Sequence, residues 1–271
     1  MLQTQGWQVA EALAGVAAAY AVGIGLYIAS SYGFARADHE PRGLVATLRE
    51  ALREALVVAV VLPLLPLFYL YGRRMGGGNG RPVVLVHGYA QNRVDFLWLA
   101  RALAERGLGP VYGFNYWPLS HLSRSASQLE RFVQWVCDKE HCDAVDVVCH
   151  SMGGLVALEM LGQGGSRIRR LVTIGSPHAG ISWPPLIPGA SAEHLRAGAL
   201  HLREQRALDL PSLSIFSTHD NIVHPAATSS LEVVGGRDLE VRDLGHVALL
   251  FDAGVADEVA AFLAEPQASA S

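Results

Sequence analysis

Three side chains in this chain could together perform nucleophilic acyl chemistry: Ser151, Asp220 and His246, in that order. Ser151 lies in Val145-Asp146-Val147-Val148-Cys149-His150-Ser151-Met152-Gly153-Gly154, where an apolar, valine-rich run enters a tight small-residue turn. A helix-forming run, Leu155 to Leu161, leads away. Such a strand–turn–helix lifts a serine hydroxyl clear of a sheet edge. The usual pattern has glycine two residues before the serine, and Cys149 stands there, small enough for the close approach the turn demands. Asp220 follows a strand over Ser212–Ser217, and His246 follows Gly245 after a strand over Leu239–Val241. In that arrangement Ser151 would attack a carbonyl and His246 would carry its proton to the leaving group. Asp220 would fix the histidine tautomer and stabilise the imidazolium.

Two further groups bear on the same chemistry. Leu85-Val86-His87-Gly88-Tyr89 ends a strand in a His-Gly step that can aim an amide above the sheet. The amides of Tyr89 and Met152 are therefore the expected oxyanion donors, each contributing about 3 kcal/mol in the transition state. His87 reads as a brace for that loop. Among rivals, His224 is only four residues past Asp220, whereas the base must come from a separate loop. Asp243 directly precedes the histidine loop and reads as a solvated strand-end residue. His39, His121, His141, His194 and His201 read as surface histidines. No His/Cys set has metal-ligand spacing, so no metal is expected.

The elements that must position these groups follow an alternating strand–helix pattern from Arg81 onward, which predicts a mainly parallel sheet. Strands are expected over Pro82–Val86, Val111–Phe114, the Ser151 approach, Ile168–Ile174, Ser212–Ser217 and Leu239–Val241. Helices are expected over Arg93–Arg106, Ser125–Lys139 and Val255–Leu263, within a catalytic domain spanning 82–264. Parallel sheets place ligands at the carboxyl ends of strands, where all the candidate residues lie. Phe114, Tyr116 and Trp117 follow one strand end and are candidates to line a substrate groove. The tail, 265–271, reads as disordered.

Before the domain, residues 1–75 differ in character. The chain of 271 residues has a net charge of −4, only 17% charged residues and a mean hydropathy of +0.25. No basic cluster resembles a nucleic-acid footprint. Ala12 to Ala35 carries no charge and is long enough to cross ~30 Å of hydrocarbon. Ala55 to Gly72 is a second uncharged run, interrupted by Pro63 and Pro66. Gly15, Ala19 and Gly23 recur every four residues, a face for close helix packing. The expectation is a two-helix transmembrane hairpin joined by a loop over Arg36 to Glu54, with a single anchor plus an interfacial or buried helix, kinked by the prolines, as the alternative. Arg36, Arg42, Arg49 and Arg53 stand against Arg73, Arg74 and Arg81, so basic residues do not assign an orientation. Gly76-Gly77-Gly78-Asn79-Gly80 (76–81 with Arg81) reads as a flexible linker. Cys137 and Cys142 could pair or stay as thiols.

The motifs as a set resemble the small bacterial lipases of the Bacillus type. The resemblance rests on Val84-Leu85-Val86-His87-Gly88, Cys149-His150-Ser151-Met152-Gly153-Gly154, Thr173-Ile174-Gly175-Ser176-Pro177-His178-Ala179-Gly180, Asp220-Asn221-Ile222-Val223 and Gly245-His246-Val247-Ala248-Leu249-Leu250. It spans roughly residues 82–263. It implies an α/β-hydrolase fold, carboxylic-ester hydrolysis of acylglycerols without a cofactor, the triad Ser151, Asp220 and His246, and oxyanion donors Tyr89 and Met152. The membrane-anchoring N-terminus departs from that family and implies a bacterial inner-membrane protein whose partners are a lipid or ester substrate and the bilayer. The stretch from Gly180 to Leu210 is also longer. Trp183, Leu186 and Ile187 are candidates for an apolar lip there, with a helix-like run from Ala192 to Ala207. A thioesterase or acyltransferase would use the same triad, and a non-catalytic membrane scaffold would need none of it.

Overall fold

A computed structural model describes residues 2–165, 167–182, 190, 195 and 207–266, with side chains from Glu11 onward. Seven strands form one sheet in the order β1-β3-β2-β4-β5-β6-β7. They are β1 (Arg74–Gly76), β2 (Val83–Val86), β3 (Val111–Phe114), β4 (Val145–His150), β5 (Ile168–Ile174), β6 (Ser212–Ser217) and β7 (Arg237–Val241). All neighbouring pairs are parallel except the edge pair of β1 with β3. The inner strands β2 and β4 are buried at every position, as a sheet covered on both faces requires. Side chains alternate between the two cores. Val84, Val86, Val147 and Cys149 pack under α4 (Leu122–Glu140) and α5 (Met152–Gly162), whereas Val83, Leu85 and Val148 pack under α3 (Leu97–Glu105) and α6 (Ala253–Ala264).

Within the described residues, the strands and helices expected from Arg81 onward form, with boundary shifts of a few residues. The glycine run differs from a free tether. Arg74–Gly76 is an edge strand, and a Cβ at Gly78 would lie 2.5 Å from the Leu108 carbonyl, so this segment is packed against the domain. The tail also starts tied down, because Arg170 donates to the carbonyls of Glu265 (2.8 Å) and Pro266 (3.1 Å); residues 267–271 lie outside the described residues.

The largest departure is at the N-terminus. Helix α1 spans Leu2–Ala35 and α2 spans Leu44–Val61, so the expected loop is mostly helix and only 36–43 connect the two. The charges taken for loop residues face the catalytic domain: Arg53 pairs with Asp252 at 2.9 Å, and Glu50 and Glu54 are buried. At Leu62 the α-helix gives way to a 3-10 segment over Leu62–Tyr69, because Pro63 and Pro66 lack the amides an α-helix needs. That segment turns back to the domain. Asn92 Nδ2 donates to the Leu65 carbonyl (3.0 Å) and Arg93 to those of Phe68 and Tyr71 (2.7 Å each). A segment fixed to one domain at both ends lies across it as a cap.

The cap's outer surface is apolar. Leu44, Leu48, Leu52, Leu56 and Val60 form an exposed stripe of i, i+4 spacing. Of 17 large exposed apolar side chains among the described residues, 15 lie between Leu13 and Tyr71. Patches of this extent mark interaction surfaces. By length and composition Glu11–Ala35 and Leu44–Tyr69 could each cross a membrane, and both carry bonds to the catalytic domain, from Asn221 to Ser31 and from Val247 to Glu54.

Candidate active site

Strand β4 delivers Ser151 to the turn before α5, where its backbone has φ 54° and ψ −130°. Left-handed backbone at a non-glycine residue costs ~1–3 kcal/mol and persists only where its surroundings impose it. Two glycines make the turn possible. A Cβ at Gly153 would lie 2.3 Å from the Val86 carbonyl, so only glycine lets α5 start against the end of β2. A Cβ at Gly88 would lie 2.6 Å from that of Ser151, so the β2 loop can approach the serine only through glycine. Gly88 in turn donates its amide to Gln91 Oε1 at 2.9 Å, which fixes the loop carrying Tyr89. Met152 is the first residue of α5, where the amide has no partner within the helix. Tyr89 and Ser151 line one cavity.

Asp220 and His246 meet as expected. His246 Nδ1 donates to Asp220 Oδ2 at 2.8 Å, both groups being buried. The other carboxylate oxygen accepts the amides of Ile222 and Val223, each at 2.8 Å, which orients it. Burial pushes the His246 pKa down, but the charge of Asp220, its hydrogen bond and the charge of Glu54 together hold it above the ordinary value. His246 and Ser151 share the apolar cavity, of about 660 Å³. Asp243, the rival acid, is 65% exposed and lies 3.7 Å from His219.

His87 braces its loop. Its Nδ1 lies 2.9 Å from the Gly88 carbonyl and its ring stacks on Tyr116 at 4.4 Å. Burial lowers its pKa to about 4. Tyr116 is therefore a support as well, donating its hydroxyl to the His87 carbonyl at 2.8 Å. Phe114, Tyr116 and Trp117 line a cavity next to the one holding Ser151 and not that cavity itself. A strand end fixes neither the direction of the side chains that follow nor which cavity they reach. Trp183, Leu186 and Ile187, and most of the run from Ala192 to Ala207, lie outside the described residues. Cys149 is buried at the elbow, and Cys137 and Cys142 are free thiols.

Several supporting groups escaped the sequence reading. Glu54, at the surface of no apolar run and in what read as a loop, accepts the amides of Val247 (3.0 Å) and Ala248 (2.9 Å) directly after His246. Tyr27 also donates to it, at 3.3 Å. Asn221 accepts the His246 amide at 2.8 Å and donates to Ser31 of α1 at 2.9 Å. His39 Nε2 reaches the Asp220 carbonyl at 2.9 Å, so it is no idle surface histidine. His150 bridges Gln91 Oε1 (2.8 Å) and the His246 carbonyl (3.0 Å). The cap thus holds both loops of the Asp–His pair. The amphipathic charge pattern Arg49-Glu50-x-x-Arg53-Glu54 was the available signal. Glu50, His219 and Asp243 come within metal-ligating reach of one another, but Arg42 already pairs with both carboxylates.

This arrangement predicts a pH signature. The base must be neutral to take a proton, so kcat/KM should rise with pH through a midpoint above the ordinary histidine value. Glu54→Gln removes a negative charge that favours the imidazolium, so the acid limb should move to lower pH. One of the two loop amides also faces the new NH2 group, and kcat should fall roughly tenfold. A pH–rate profile of both proteins checks this, and an unmoved acid limb would show that Glu54 does not act through His246.

Comparison with known proteins agrees with this architecture. A family model described as alpha/beta hydrolase fold matches residues 81–196. Among solved structures, a lipase from Bacillus licheniformis in mature form is similar with a TM-score of 0.58 at 14% identity, over 69% of this chain and 93% of that one. Aspergillus fumigatus lipase B gives 0.57 at 16% identity, and the chain covers only 53% of that protein. An esterase from Exiguobacterium antarcticum gives 0.55 at 17%, over 70% and 94% of the two chains. At these identities the likeness is one of fold. The chain has the α/β-hydrolase fold.

Proposed function

We propose that this protein is a membrane-associated serine hydrolase of long-chain carboxylic esters. The observation that carries the reading is that Ser151, on a strained elbow, lines the same apolar cavity as His246, which is paired with Asp220. In this mechanism His246 Nε2 takes the Ser151 proton as Oγ bonds to the acyl carbon. The amides of Tyr89 and Met152 receive the oxyanion. The proton passes to the departing alcohol oxygen as its bond to the acyl carbon breaks, and water then repeats the sequence to free the acid and Ser151.

The cavity supports a lipid substrate. One wall is the cap: Tyr20, Gly23 and Tyr27 of α1, with Val58, Val61 and Leu65 from α2 and its continuation. Its volume falls within the range of roughly 300–1,000 Å³ usual for small-molecule sites. The exposed stripe on α2 and the exposed apolar side chains of α1, Leu13, Val16, Val22 and Leu26, suit a cap seated in a bilayer, where an acyl chain need travel little.

The test is hydrolysis of p-nitrophenyl esters from C4 to C16 by the full-length protein in detergent. Rates should rise toward long chains. A Cβ at Gly23 would meet no atom within 4 Å, so Gly23→Leu adds its bulk in open space at the cavity wall and should shift the optimum to shorter chains, with roughly tenfold loss at C16. A short-chain optimum in the parent protein would remove the lipid assignment. Failure to hydrolyse any ester, with no labelling by a fluorophosphonate, would remove the hydrolase assignment.

A further inference from the structure

A second cavity, of about 950 Å³, adjoins the first. The two share Tyr89, Ala90 and Gln91, so they meet at the loop that faces Ser151. Their chemistry differs sharply. The Ser151 cavity is almost wholly apolar, whereas the second gathers Arg73, Arg93 and Arg131 and, among the described residues, is lined by no carboxylate. None of the three arginines forms an ion pair among the described residues, although the chain as a whole is acidic.

Two of the arginines are held in place without being neutralised, and Arg131 is exposed beside them. Arg93 is held by the carbonyls of Phe68 and Tyr71, while its Nε is buried with no partner. Arg73 lies over the rings of Phe132 (5.9 Å) and Trp135 (5.2 Å). Partial burial and the nearby Arg73 charge both lower the pKa of Arg93. Like charges drawn together in a concave, aromatic-walled site are relieved by an anion, and guanidinium forks match phosphate oxygens.

We propose that this second cavity binds the phosphate-bearing head of the substrate, so that the preferred ester joins a long acyl chain to a phosphorylated alcohol such as a glycerophospholipid head. The inference rests on the ester-hydrolase reading above. The acyl chain fills the cap cavity, the ester carbonyl sits at the Tyr89–Gln91 junction, and the departing alcohol leaves through the arginine cavity.

The experiment compares kcat/KM of the full-length protein in neutral detergent on 1-palmitoyl-lysophosphatidylglycerol and on monopalmitoylglycerol. The phosphorylated ester should be preferred at least tenfold. The ratio of the two constants should fall roughly tenfold in Arg131→Gln and further in Arg73→Gln/Arg131→Gln, by the loss of one charge-assisted contact each. Damage to the fold would lower both constants and leave the ratio alone. Equal or better turnover of monopalmitoylglycerol by the parent protein, or a ratio unmoved in the double variant, overturns the inference while leaving the hydrolase reading intact. Inhibition by inorganic phosphate of both esters alike, without a preference, would assign the arginines to free phosphate and overturn the lipid head. No turnover of either ester and no fluorophosphonate labelling would instead sink the hydrolase reading.

Discussion

Ser151→Ala should abolish ester hydrolysis, with kcat reduced on the order of 10⁴–10⁶-fold, the scale seen when a triad nucleophile is removed. Alanine and serine meet the same backbone strain at φ 54°, so the elbow and the fold should persist, as an unchanged melting temperature would show. Labelling by a fluorophosphonate should vanish together with turnover. The residual rate would reflect oxyanion donors and binding alone. Activity within tenfold of the parent protein would rule out Ser151 as nucleophile and, with it, the acyl-enzyme mechanism. The variant also bounds the role of Cys149, which is fully buried two residues away and whose thiol burial pushes well above its usual pKa; it offers no substitute nucleophile.

Asp220→Asn should lower kcat about 10⁴-fold, the effect of presenting a triad histidine with the wrong partner. Oδ1 would still accept the amides of Ile222 and Val223, so the loop should hold its shape. The amide NH2 would face His246 Nδ1, turn that nitrogen into the acceptor and leave the proton on Nε2, where it opposes transfer from Ser151. The decisive comparison is Asp243→Asn. Asp243 is solvated and touches His219 rather than His246, so its loss should change kcat less than about twofold, in keeping with a surface ion pair. A larger loss in Asp243→Asn than in Asp220→Asn would transfer the acid's role. Both variants are measured on the same ester under saturating conditions, with the melting temperature as a control.

The cap links these two results to the rest of the molecule. Its helices supply a wall of the Ser151 cavity and the carboxylate beneath the His246 loop, so under the proposed function catalysis and membrane association would share one structural unit. The proposed substrate would then enter with its chain against α1 and α2 and its head toward Arg73, Arg93 and Arg131. Gly23→Leu and Arg131→Gln probe the two ends of that molecule independently.

Strands β3, β5 and β6 and the helices beside them were legible because their signals are local: a buried strand needs only a short apolar run, and a helix face repeats within its own length. The Ser151 elbow, the Asp220 and His246 strand ends and the His87-Gly88 step were legible for the same reason, since each is a few residues at the end of one strand. The role of Glu54 was not, because its partners are 193 and 194 positions away and a charge near an apolar run reads equally as loop or buried cap. Nor could the sequence separate a spanning second helix from one laid across the domain. Both need the same apolar residues, and the bonds that hold the end of that run on the domain, from Asn92 to Leu65 and from Arg93 to Phe68 and Tyr71, join segments far apart in sequence. Tyr116 shows the same limit on a smaller scale. Its position after a strand was predictable, but whether its ring meets substrate or the back of His87 depended on how two loops pack. Local chemistry determined which groups are available for catalysis; contacts between distant segments decided which cavity each one serves.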